Sequence, residues 1–563
     1  MEIYSASDLW SLLPPLEELV RGAHVFVTHC LQVGFIPKAL FIERLSKNAD
    51  SVNVFLLISM LTISARFTPE LCTRFGGGPP ASDFFMEMAN VLVAEEMFKL
   101  DLETAQAFFL LGMAEWGKGE RSRSAIHMGI AVRIAGVLRL HREESYALDP
   151  NASPDDVVHS EHARRTFWAI KSHDNLYTQQ HLPTSFVNSD ITTLLPCSEK
   201  EFAFGRIPSQ RAALAGTIPA LKEPHLATLP TRSMFASLIQ IHDLWGMIAR
   251  TACRDELLND RSESRPWEDS CRYKSIAKLL SEWEANLPQE HRWSSWNLRG
   301  FQAEHVDLAY LSIITITRVN NIVLRRTYLA NIVSHIVDSE TGDASAPPGF
   351  WETMSYELFS NVLALYEAIE TYISMRRTDD GFPTMLAFCA YTCGSIISYL
   401  CRWPRLCPQL CSSADRVFEG TLAALSTFAD KWPLASEWVG LLQDVARQEQ
   451  SQPVQPTAEV SSREVFLSTI GTVPISPVSR TSPRSSAINH GHAQELHTQE
   501  NHALNMLSDV ATFPAHESQD SFIQQIPPIP QGNSHTGLDM FFDNGLADYM
   551  QGYVHCNFVD WQV

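Results

Sequence analysis

The side chains best suited to chemistry are five cysteines near the end of the apolar part of the sequence. Thiolates at short, repeated spacings bind zinc. The separations here are four, eight, six and four residues, which do not match a zinc cluster. Two of the five would share one face of an apolar helix, where buried free thiols are ordinary, so we expect no metal site. The five residues are Cys389, Cys393, Cys401, Cys407 and Cys411.

Histidines are a second group with ligand chemistry, and six of them lie between residues 127 and 181. His159 and His162 would share a helical face at a spacing of three residues, as paired metal ligands can. Polar positions exposed to solvent are the simpler interpretation of that pair. The six histidines are His127, His141, His159, His162, His173 and His181.

The motifs that carry catalysis are absent: the sequence has no phosphate-binding loop, no Gly-x-Ser-x-Gly and no His-Glu-x-x-His. An α-helical enzyme of the terpene-synthase type is the strongest rival, but its aspartate-rich metal motif could only be Asp155 and Asp156. Acids at that position are better explained by a helix start, because they favour the positive end of the helix dipole. We therefore expect a protein without enzymatic activity.

The elements that would position these residues are α-helices from about residue 16 to residue 449. Apolar residues recur there at steps of three and four, and alternating strands bounded by hairpin turns are absent. The sequence predicts an all-α fold, with one multi-helix domain followed by a disordered C-terminal tail. The predicted helices span residues 52–67, 84–100, 102–116, 122–139, 154–180, 232–258, 267–286, 301–330, 351–377, 383–402, 414–431 and 435–448.

The helices over 122–139 and 154–180 can be predicted in more detail. The helix over 154–180 has a clear start, since Ser153 can cap it and Pro154 suits the first turn. The apolar spacing also predicts a buried face for each helix. In the helix over 122–139 this face is Ile126, Ile130, Ile134, Val137 and Leu138. In the helix over 154–180 it is Ala163, Phe167, Ile170 and Tyr177.

The charge of the chain is −21, from 64 acidic and 43 basic residues. Such a chain is repelled by nucleic-acid phosphates unless a basic patch is segregated. The basic residues come in pairs at most, such as Arg325 and Arg326, so we expect little direct DNA binding. The first residues lack the charge and the apolar run of a signal peptide, and the 11 scattered cysteines indicate reduced thiols.

Residues 383–401 carry no charge over about a membrane-spanning length. Threonines and serines dilute the hydrophobicity of this segment, and similar apolar helices are predicted on both sides of it. The sequence therefore favours a buried helix over a membrane span, and we expect no contact with a membrane.

The composition changes after residue 450. Residues 451–536 are rich in Ser, Pro, Gln, His and Thr, which predicts a disordered linker because too few apolar residues remain to offset the entropy of folding. No lysine or arginine follows Arg484.

Residues 537–563 differ from this linker, because bulky apolar residues alternate there with aspartates. The bulky residues are Leu538, Phe541, Phe542, Leu546, Tyr549, Phe558 and Trp561. One face of a helix would be lined by Leu538, Phe542, Leu546 and Tyr549. Acidic side chains keep such aromatic side chains exposed to water until they bind a hydrophobic groove on a partner protein. We expect an activation segment that recruits coactivator or mediator-type proteins; docking onto the helical domain as a terminal helix is the alternative.

An ordered series of residues between 129 and 183 carries a resemblance to a known family. A helix with the pattern Gly-x-Ala-x-Arg-x-Ala-x-x-Leu-x-Leu-His precedes an acid, paired arginines, an aromatic pair, an aspartate and a proline. These residues are Gly129, Ala131, Arg133, Ala135, Leu138, Leu140, His141, Glu161, Arg164, Arg165, Phe167, Trp168, Asp174 and Pro183. The series resembles the fungal-specific transcription factor domain, the middle homology region of zinc binuclear-cluster regulators.

The resemblance implies a regulatory domain over residues 15–450, after a short lead at residues 1–15. It also implies a structural role for the motif residues, which are expected to build the core and to do no chemistry. Arg164 and Arg165 would lie on adjacent faces of a helix, so we expect at most one of them to point inward. A carboxylate such as Asp174 or Glu161 would pair with it.

Members of this family usually carry two zinc ions on six cysteines upstream of the domain, in the module that reads the DNA major groove. Here Cys30 and Cys72 stand alone in the first part of the sequence. We therefore expect no cofactor in this chain, since zinc would belong to the absent cluster.

These observations combine into the expectation of a nuclear transcription regulator, acting as an activator of a gene set such as a metabolic or biosynthetic pathway. It would reach DNA through a DNA-binding partner, as a homodimer, or through an N-terminal zinc cluster absent from this chain. The alternative is a coregulator or scaffold that does not bind DNA and senses a small molecule in a cavity between helices. An α-helical enzyme is the third hypothesis.

Overall fold

The computed structural model describes residues 10–29, 34–177, 184–257, 265–337, 345–376 and 381–451. Within these ranges every regular element is a helix, which confirms the predicted all-α class. The linker over 451–536 and the segment over 537–563 lie outside the described residues, apart from Ser451. The domain boundaries given above therefore stay predictions.

The α-helices are numbered in chain order. They are α1 Leu16–His29, α2 Lys38–Lys47, α3 Val54–Ser64, α4 Pro69–Phe75, α5 Gly78–Glu96, α6 Leu102–Lys118, α7 Arg121–Val137, α8 Pro154–Tyr177, α9 Glu199–Ala203, α10 Ile218–Lys222, α11 Met234–Leu257, α12 Arg272–Ala285, α13 Ser295–Ala303, α14 Asp307–Arg326, α15 Leu329–Ile336, α16 Phe350–Met375, α17 Thr384–Arg402, α18 Ala414–Ala429 and α19 Pro433–Ser451. Short 3₁₀ helices span Ala49–Ser51, Ala65–Phe67, Glu143–Tyr146, Asn188–Asp190, Pro224–Thr228, Gln289–His291, Pro404–Leu406 and Cys411–Ser413.

Every helix predicted from the sequence is present, and one prediction merges separate elements. The range 301–330 contains the end of α13 and all of α14, and it also enters α15. His305 separates α13 from α14, because its φ of 57° lies in the left-handed region and breaks the helical path. Helices α1, α2, α4, α9, α10, α13 and α15 were not predicted as separate elements.

Helices α3, α14 and α17 lie in the interior, with most of their side chains buried. Helix α3 packs against α5 and α6, α14 against α11 and α16, and α17 against α16 and α18. Helices that are covered on every side need apolar residues around their whole circumference. These three therefore form the centre of one continuous hydrophobic core.

Helix α17 is the uncharged segment for which burial was predicted, and that prediction is confirmed. Among the described residues it is the one continuous helix long and apolar enough to cross a membrane, but most of it is buried inside the domain. Its hydroxyl groups are accommodated because they donate to carbonyl oxygens in the turn before. Thr392 Oγ1 lies 2.9 Å from Phe388 O, and Ser398 Oγ lies 2.9 Å from Ser395 O.

The buried face predicted for α7 is wrong. Ile126 is 65% exposed and Val137 is 52% exposed, although Ile134 is buried. The buried face consists of Ser124, His127, Met128, Ala131, Ile134 and Ala135. Small and polar residues are inside because α6 approaches very closely: a Cβ on Gly112 would lie 3.1 Å from the carbonyl oxygen of Ser124.

A buried hydrogen-bonded pair fixes the same side of α7. His127 Nδ1 lies 2.7 Å from Glu115 Oε2 on α6, and both side chains are buried. A buried polar group needs a partner, and this pair supplies one for each residue. The apolar spacing of α7 therefore predicted the wrong buried face, because His127 is buried by a contact with Glu115 on another helix.

Candidate functional site

Helix α8 carries most of the resemblance motif, and its start follows the prediction. Ser153 Oγ accepts a hydrogen bond from Asp156 N at 3.2 Å, and Ser153 N donates to Asp156 Oδ2 at 2.8 Å. This reciprocal pair satisfies backbone groups that a helix start leaves open. Phe167 and Ile170 are fully buried, as predicted. The side chain of Tyr177 lies outside the described residues.

Glu161 is the centre of a buried charge network on this helix, and its side chain is 1% exposed. Its Oε1 accepts from Cys197 N at 2.8 Å and from Arg165 Nε at 3.3 Å. Its Oε2 lies 2.7 Å from Arg211 Nη2 and 3.7 Å from Arg164 Nε. One carboxylate therefore serves three guanidinium groups and one backbone amide.

Arg164 connects α8 to two other parts of the chain. Its two terminal nitrogens donate to both carboxylate oxygens of Glu143, at 2.6 and 2.7 Å, in a bidentate pair. One of them also donates to Leu194 O at 3.0 Å. The guanidinium carbon lies 4.2 Å from the ring centre of Tyr146. Planar pairing and stacking of this kind suit arginine and not lysine.

Arg165 points to the opposite side of the network. It donates to Gly34 O and to Cys197 O, both at 2.9 Å, and it pairs with Glu199 at the start of α9. The ring of Phe202 lies under its guanidinium group, at 4.1 Å from ring centre to carbon. This single side chain ties α8 to the residues before α2 and to the segment that leads into α9.

Both arginines are buried, each 3% exposed, so the prediction that at most one points inward is wrong. Adjacent residues of a helix do lie on different faces. Here the stretch from Ile191 to Cys197 covers the outer side, and Trp168 Nε1 donates to Leu194 O of that stretch at 2.9 Å. The helix is thus enclosed on two sides, and each arginine meets carboxylates there.

Glu161 is confirmed as the pairing carboxylate, and Asp174 is not. Burial raises the pKa of the Asp174 carboxyl, although hydrogen bonds with Ser185 and the charges of Lys171 and Arg250 act in the opposite direction. For Glu161 burial alone would raise the pKa, but the surrounding charges, that of Arg211 first, outweigh it. The pKa of Glu161 lies below its ordinary value.

The second half of α8 makes polar contacts with α11. Lys171 Nζ donates to Asp243 Oδ1 at 2.7 Å, and Ser172 Oγ lies 2.6 Å from His242 Nδ1. His173 is buried between the two helices and faces the rings of Phe109 and His242. These contacts fix the position of α8 relative to α11, since each buried polar group has a specific partner.

A cavity of about 20 Å³ lies between α8 and α11. A cavity of this size has room for about one water molecule. Arg165, Ser172 and His173 contribute its polar lining, and Phe235 and Trp168 contribute apolar walls. The space is far smaller than the several hundred cubic ångströms that a small organic ligand occupies.

The remaining motif residues divide between core and surface. Leu140 and Trp168 are buried, and His141 is half-buried against the ring of Phe186. Gly129 and Arg133 are exposed on α7. Pro183 lies outside the described residues, as do Leu538, Phe541, Phe542, Leu546, Tyr549, Phe558 and Trp561.

The candidate metal ligands do not form a coordination site among the described residues, where no group of three His, Cys, Asp or Glu side chains could hold an ion. Cys389 and Cys393 are buried, as expected. His159 is exposed, but His162 is not: its Nε2 lies 2.5 Å from Gln106 Nε2. The expectation that both histidines are exposed is therefore wrong for His162.

The buried histidines His162 and His173 should make the stability of the fold depend on pH. Burial lowers the pKa of His173 to about 4 and that of His162 to about 3, from an ordinary value of 6.5. Between pH 6.5 and 4 the unfolded chain binds protons that the folded chain does not, so stability falls as pH falls. Each such group changes the free energy of unfolding by about 1 kcal/mol per pH unit in that window.

We expect His173→Gln to flatten this pH dependence in urea-unfolding experiments at pH 7, 6 and 5. His24→Gln is the matched control, because it makes the same chemical change at an exposed position. An unchanged slope in the His173 variant would contradict the interpretation.

The carboxylates and guanidinium groups of the charge network pair with one another and with backbone groups, so the role of the network is structural. Among the described residues, Glu161 and its partners neutralise one another inside the fold. Glu143, Glu199 and Arg211 complete the network, and sequence reasoning missed all three. No local signal could have found them, because they are 18 to 50 residues away from Glu161 along the chain.

Comparison with known proteins bears directly on the same helices. Residues 24–282 match the fungal specific transcription factor domain. This family consists of transcription factor domains and not of enzymes. The match includes α2 to α11 and the whole charge network.

Curated relatives are similar at low identity. A protein of Schizosaccharomyces pombe named as an uncharacterized transcriptional regulatory protein is 24% identical, over 52% of this chain and 43% of its own length. A second of that description in the same organism is 27% identical, over 53% of this chain and 32% of its own. A Zn(2)-C6 fungal-type transcription factor of Fusarium oxysporum is 24% identical, over 51% and 31%. The chain thus matches less than half the length of each relative.

Proposed function

We propose, from the fungal specific transcription factor domain that residues 24–282 form, that this chain regulates transcription in the nucleus. The domain match is the observation that carries the proposal. The names of the relatives support it, since three describe transcriptional regulatory proteins and one a zinc-cluster transcription factor. The charge network has no catalytic arrangement, which agrees with a domain that positions other parts of a regulator.

In this proposal the charge network around Glu161 keeps the helices of the domain in one arrangement. Charges that are buried and paired specify one arrangement of helices, because a displaced helix would leave a charge without a partner. Glu161, Arg164 and Arg165 thereby hold α8 against the stretch from Ile191 to Cys197. The domain would act as a rigid platform, and DNA would be reached through a DNA-binding partner, a homodimer or a zinc cluster outside this chain.

Activation would come from residues 537–563. Aromatic and aliphatic residues alternate there with aspartates, and no basic residue follows Arg484. Short acidic segments of this kind bind hydrophobic grooves of coactivator or mediator-type proteins and become ordered as they bind. The target genes would belong to a set such as a metabolic or biosynthetic pathway.

A ligand-sensing coregulator is the second candidate, and one surface feature favours it. A groove of about 450 Å³ lies between α16 and α18, lined by Leu363, Tyr366, Leu410 and Arg416 among others. This volume falls within the range of small-molecule sites, unlike the cavity beside His173.

Fusing residues 485–563 to a foreign DNA-binding domain tests the activation segment. We expect the fusion to raise transcription of a reporter gene. Replacing Phe541, Phe542 and Trp561 by alanine should abolish the increase, because the buried contacts with a coactivator would be lost. Alanine at Phe513 and Phe522 is the control, since these aromatics lie in the polar linker. Activation that survives the triple substitution would sink the assignment of this segment.

A further inference from the structure

Helix α7 exposes an apolar ridge that nothing in the described fold covers. Ile126 is 65% exposed, Val137 is 52% exposed, and Ile130 between them is half-buried. At 100° per residue these three side chains fall within an arc of about 40°. Exposed apolar side chains in one line on one helix are unusual for a surface that faces only water.

Positive charge borders the ridge. Arg133 lies about 20° outside this arc, on the side of Ile126. It is exposed and makes no ion pair with any described residue. Arg139 is exposed at the end of the helix, and Arg123 is half-exposed near its start. A Cβ built on Gly129 would meet nothing within 4 Å, so the surface beside Ile126 is open. We call Arg123, Ile126, Ile130, Arg133 and Val137 the α7 ridge.

The C-terminal segment of the chain has the complementary chemistry. Residues 538–549 contain three aspartates and no basic residue. Leu538, Phe542, Leu546 and Tyr549 would form one face of a helix, at steps of three and four. An apolar face with acidic borders is complementary, in hydrophobicity and in charge, to an apolar ridge with arginine borders.

The linker is long enough to bring the two together. If the predicted linker behaves as a random coil, its length from residue 452 to residue 537 corresponds to a root-mean-square span of about 50 Å. A compact domain of this size has a radius of gyration of about 22 Å, so the segment can reach any face of the domain. Tethering keeps its local concentration high, so a weak contact is substantially occupied within one molecule.

We propose that residues 538–549 bind the α7 ridge of their own chain, with the face of Leu538, Phe542, Leu546 and Tyr549 along Ile126, Ile130 and Val137 and the aspartates beside Arg133. Docked residues cannot bind a coactivator at the same time. The contact itself stands without the proposed function, but its consequence, restraint of activation, rests on that function.

Photo-crosslinking in the full chain tests the contact. A photoreactive phenylalanine at position 542 keeps an aromatic side chain there, and mass spectrometry identifies the attached peptide. We expect crosslinks within one chain to peptides from residues 121–139. Ile126→Asp and Arg133→Glu should each lower the yield about tenfold, which corresponds to roughly 1.4 kcal/mol of contact energy.

The controls reproduce the same chemical changes elsewhere. Leu279→Asp and Arg299→Glu also alter an exposed leucine and an exposed arginine, on α12 and α13, and should leave the yield unchanged. In the Arg133→Glu background, Asp543→Arg should restore the yield by reversing both charges. Restoration would not follow if Arg133→Glu merely damaged the fold.

Three results would overturn the proposal. The crosslinks could fall on another surface, they could resist both ridge variants, or they could join different chains when isotopically labelled and unlabelled protein are mixed. A reporter experiment separates the contact from the function. Arg133→Glu should raise activation by the full chain toward the level given by residues 485–563 alone, which lack the ridge, and Arg299→Glu should not. Crosslinks without activation by the isolated segment would leave the contact intact and refute the activator role.

Discussion

Replacing Glu161 by glutamine should lower the free energy of unfolding by about 3–5 kcal/mol, the loss typical of a broken buried ion pair. Glutamine has almost the same shape, so the change removes the charge and little else. The fold would then lack one negative charge beside the buried guanidinium groups of Arg164, Arg165 and Arg211. Unfolding in urea, followed by circular dichroism, measures the difference.

Glu144→Gln is the matched control for that experiment. Glu144 follows Glu143 in the chain but is exposed, so its loss should change the free energy of unfolding by less than about 0.5 kcal/mol. A loss below about 1 kcal/mol for Glu161→Gln would mean that water reaches the network, and it would contradict its role in holding α8.

Replacing Trp438 by alanine should cost about 3–5 kcal/mol, because a fully buried tryptophan leaves a large cavity. Trp438 lies on α19 and packs against Trp116 of α6 and against Phe388 and Tyr391 of α17. These contacts join the last helix to the region that matches the known family. The prediction therefore tests whether the helical domain continues beyond residue 282 as one cooperative unit.

Trp438→Phe should cost much less than Trp438→Ala. No hydrogen-bond partner of Trp438 Nε1 exists among the described residues, so phenylalanine loses no polar contact and keeps most of the packing. Calorimetry gives both stabilities and shows whether unfolding remains a single transition. A second transition in the wild-type chain, with only one of the two affected by Trp438→Ala, would contradict a continuous domain.

Local physical chemistry explains why much of the helical fold could be predicted. Helix α8 combines a capping serine, a proline in the first turn and buried Phe167 and Ile170 at helical spacing, and these signals agree. Helix α17 is apolar on all sides, so burial followed from composition. Such signals act within one element, and they can be read without knowing which elements meet.

The incorrect predictions, for the arginines of α8 and the buried face of α7, have the opposite cause. These features depend on contacts between residues that are distant in the sequence. Arg165 is buried because Glu199 and the carbonyl oxygen of Cys197 meet it, and neither lies near it in the sequence. The buried side of α7 is set by Glu115 on α6, which accepts from His127, and by the close approach at Gly112. Sequence periodicity treats a histidine as a surface residue unless its partner is known.

The central claim, regulation of transcription, is tested most directly by tethering the full chain to a reporter gene. A foreign DNA-binding domain fused to residues 1–563 would bring the chain to the promoter, and reporter messenger RNA would be counted. We predict that transcription rises above the level given by the DNA-binding domain alone. The rise should disappear when Phe541, Phe542 and Trp561 become alanine and persist when Phe513 and Phe522 do. Transcription that stays at the level of the DNA-binding domain alone, with the fusion folded and in the nucleus, would contradict the account.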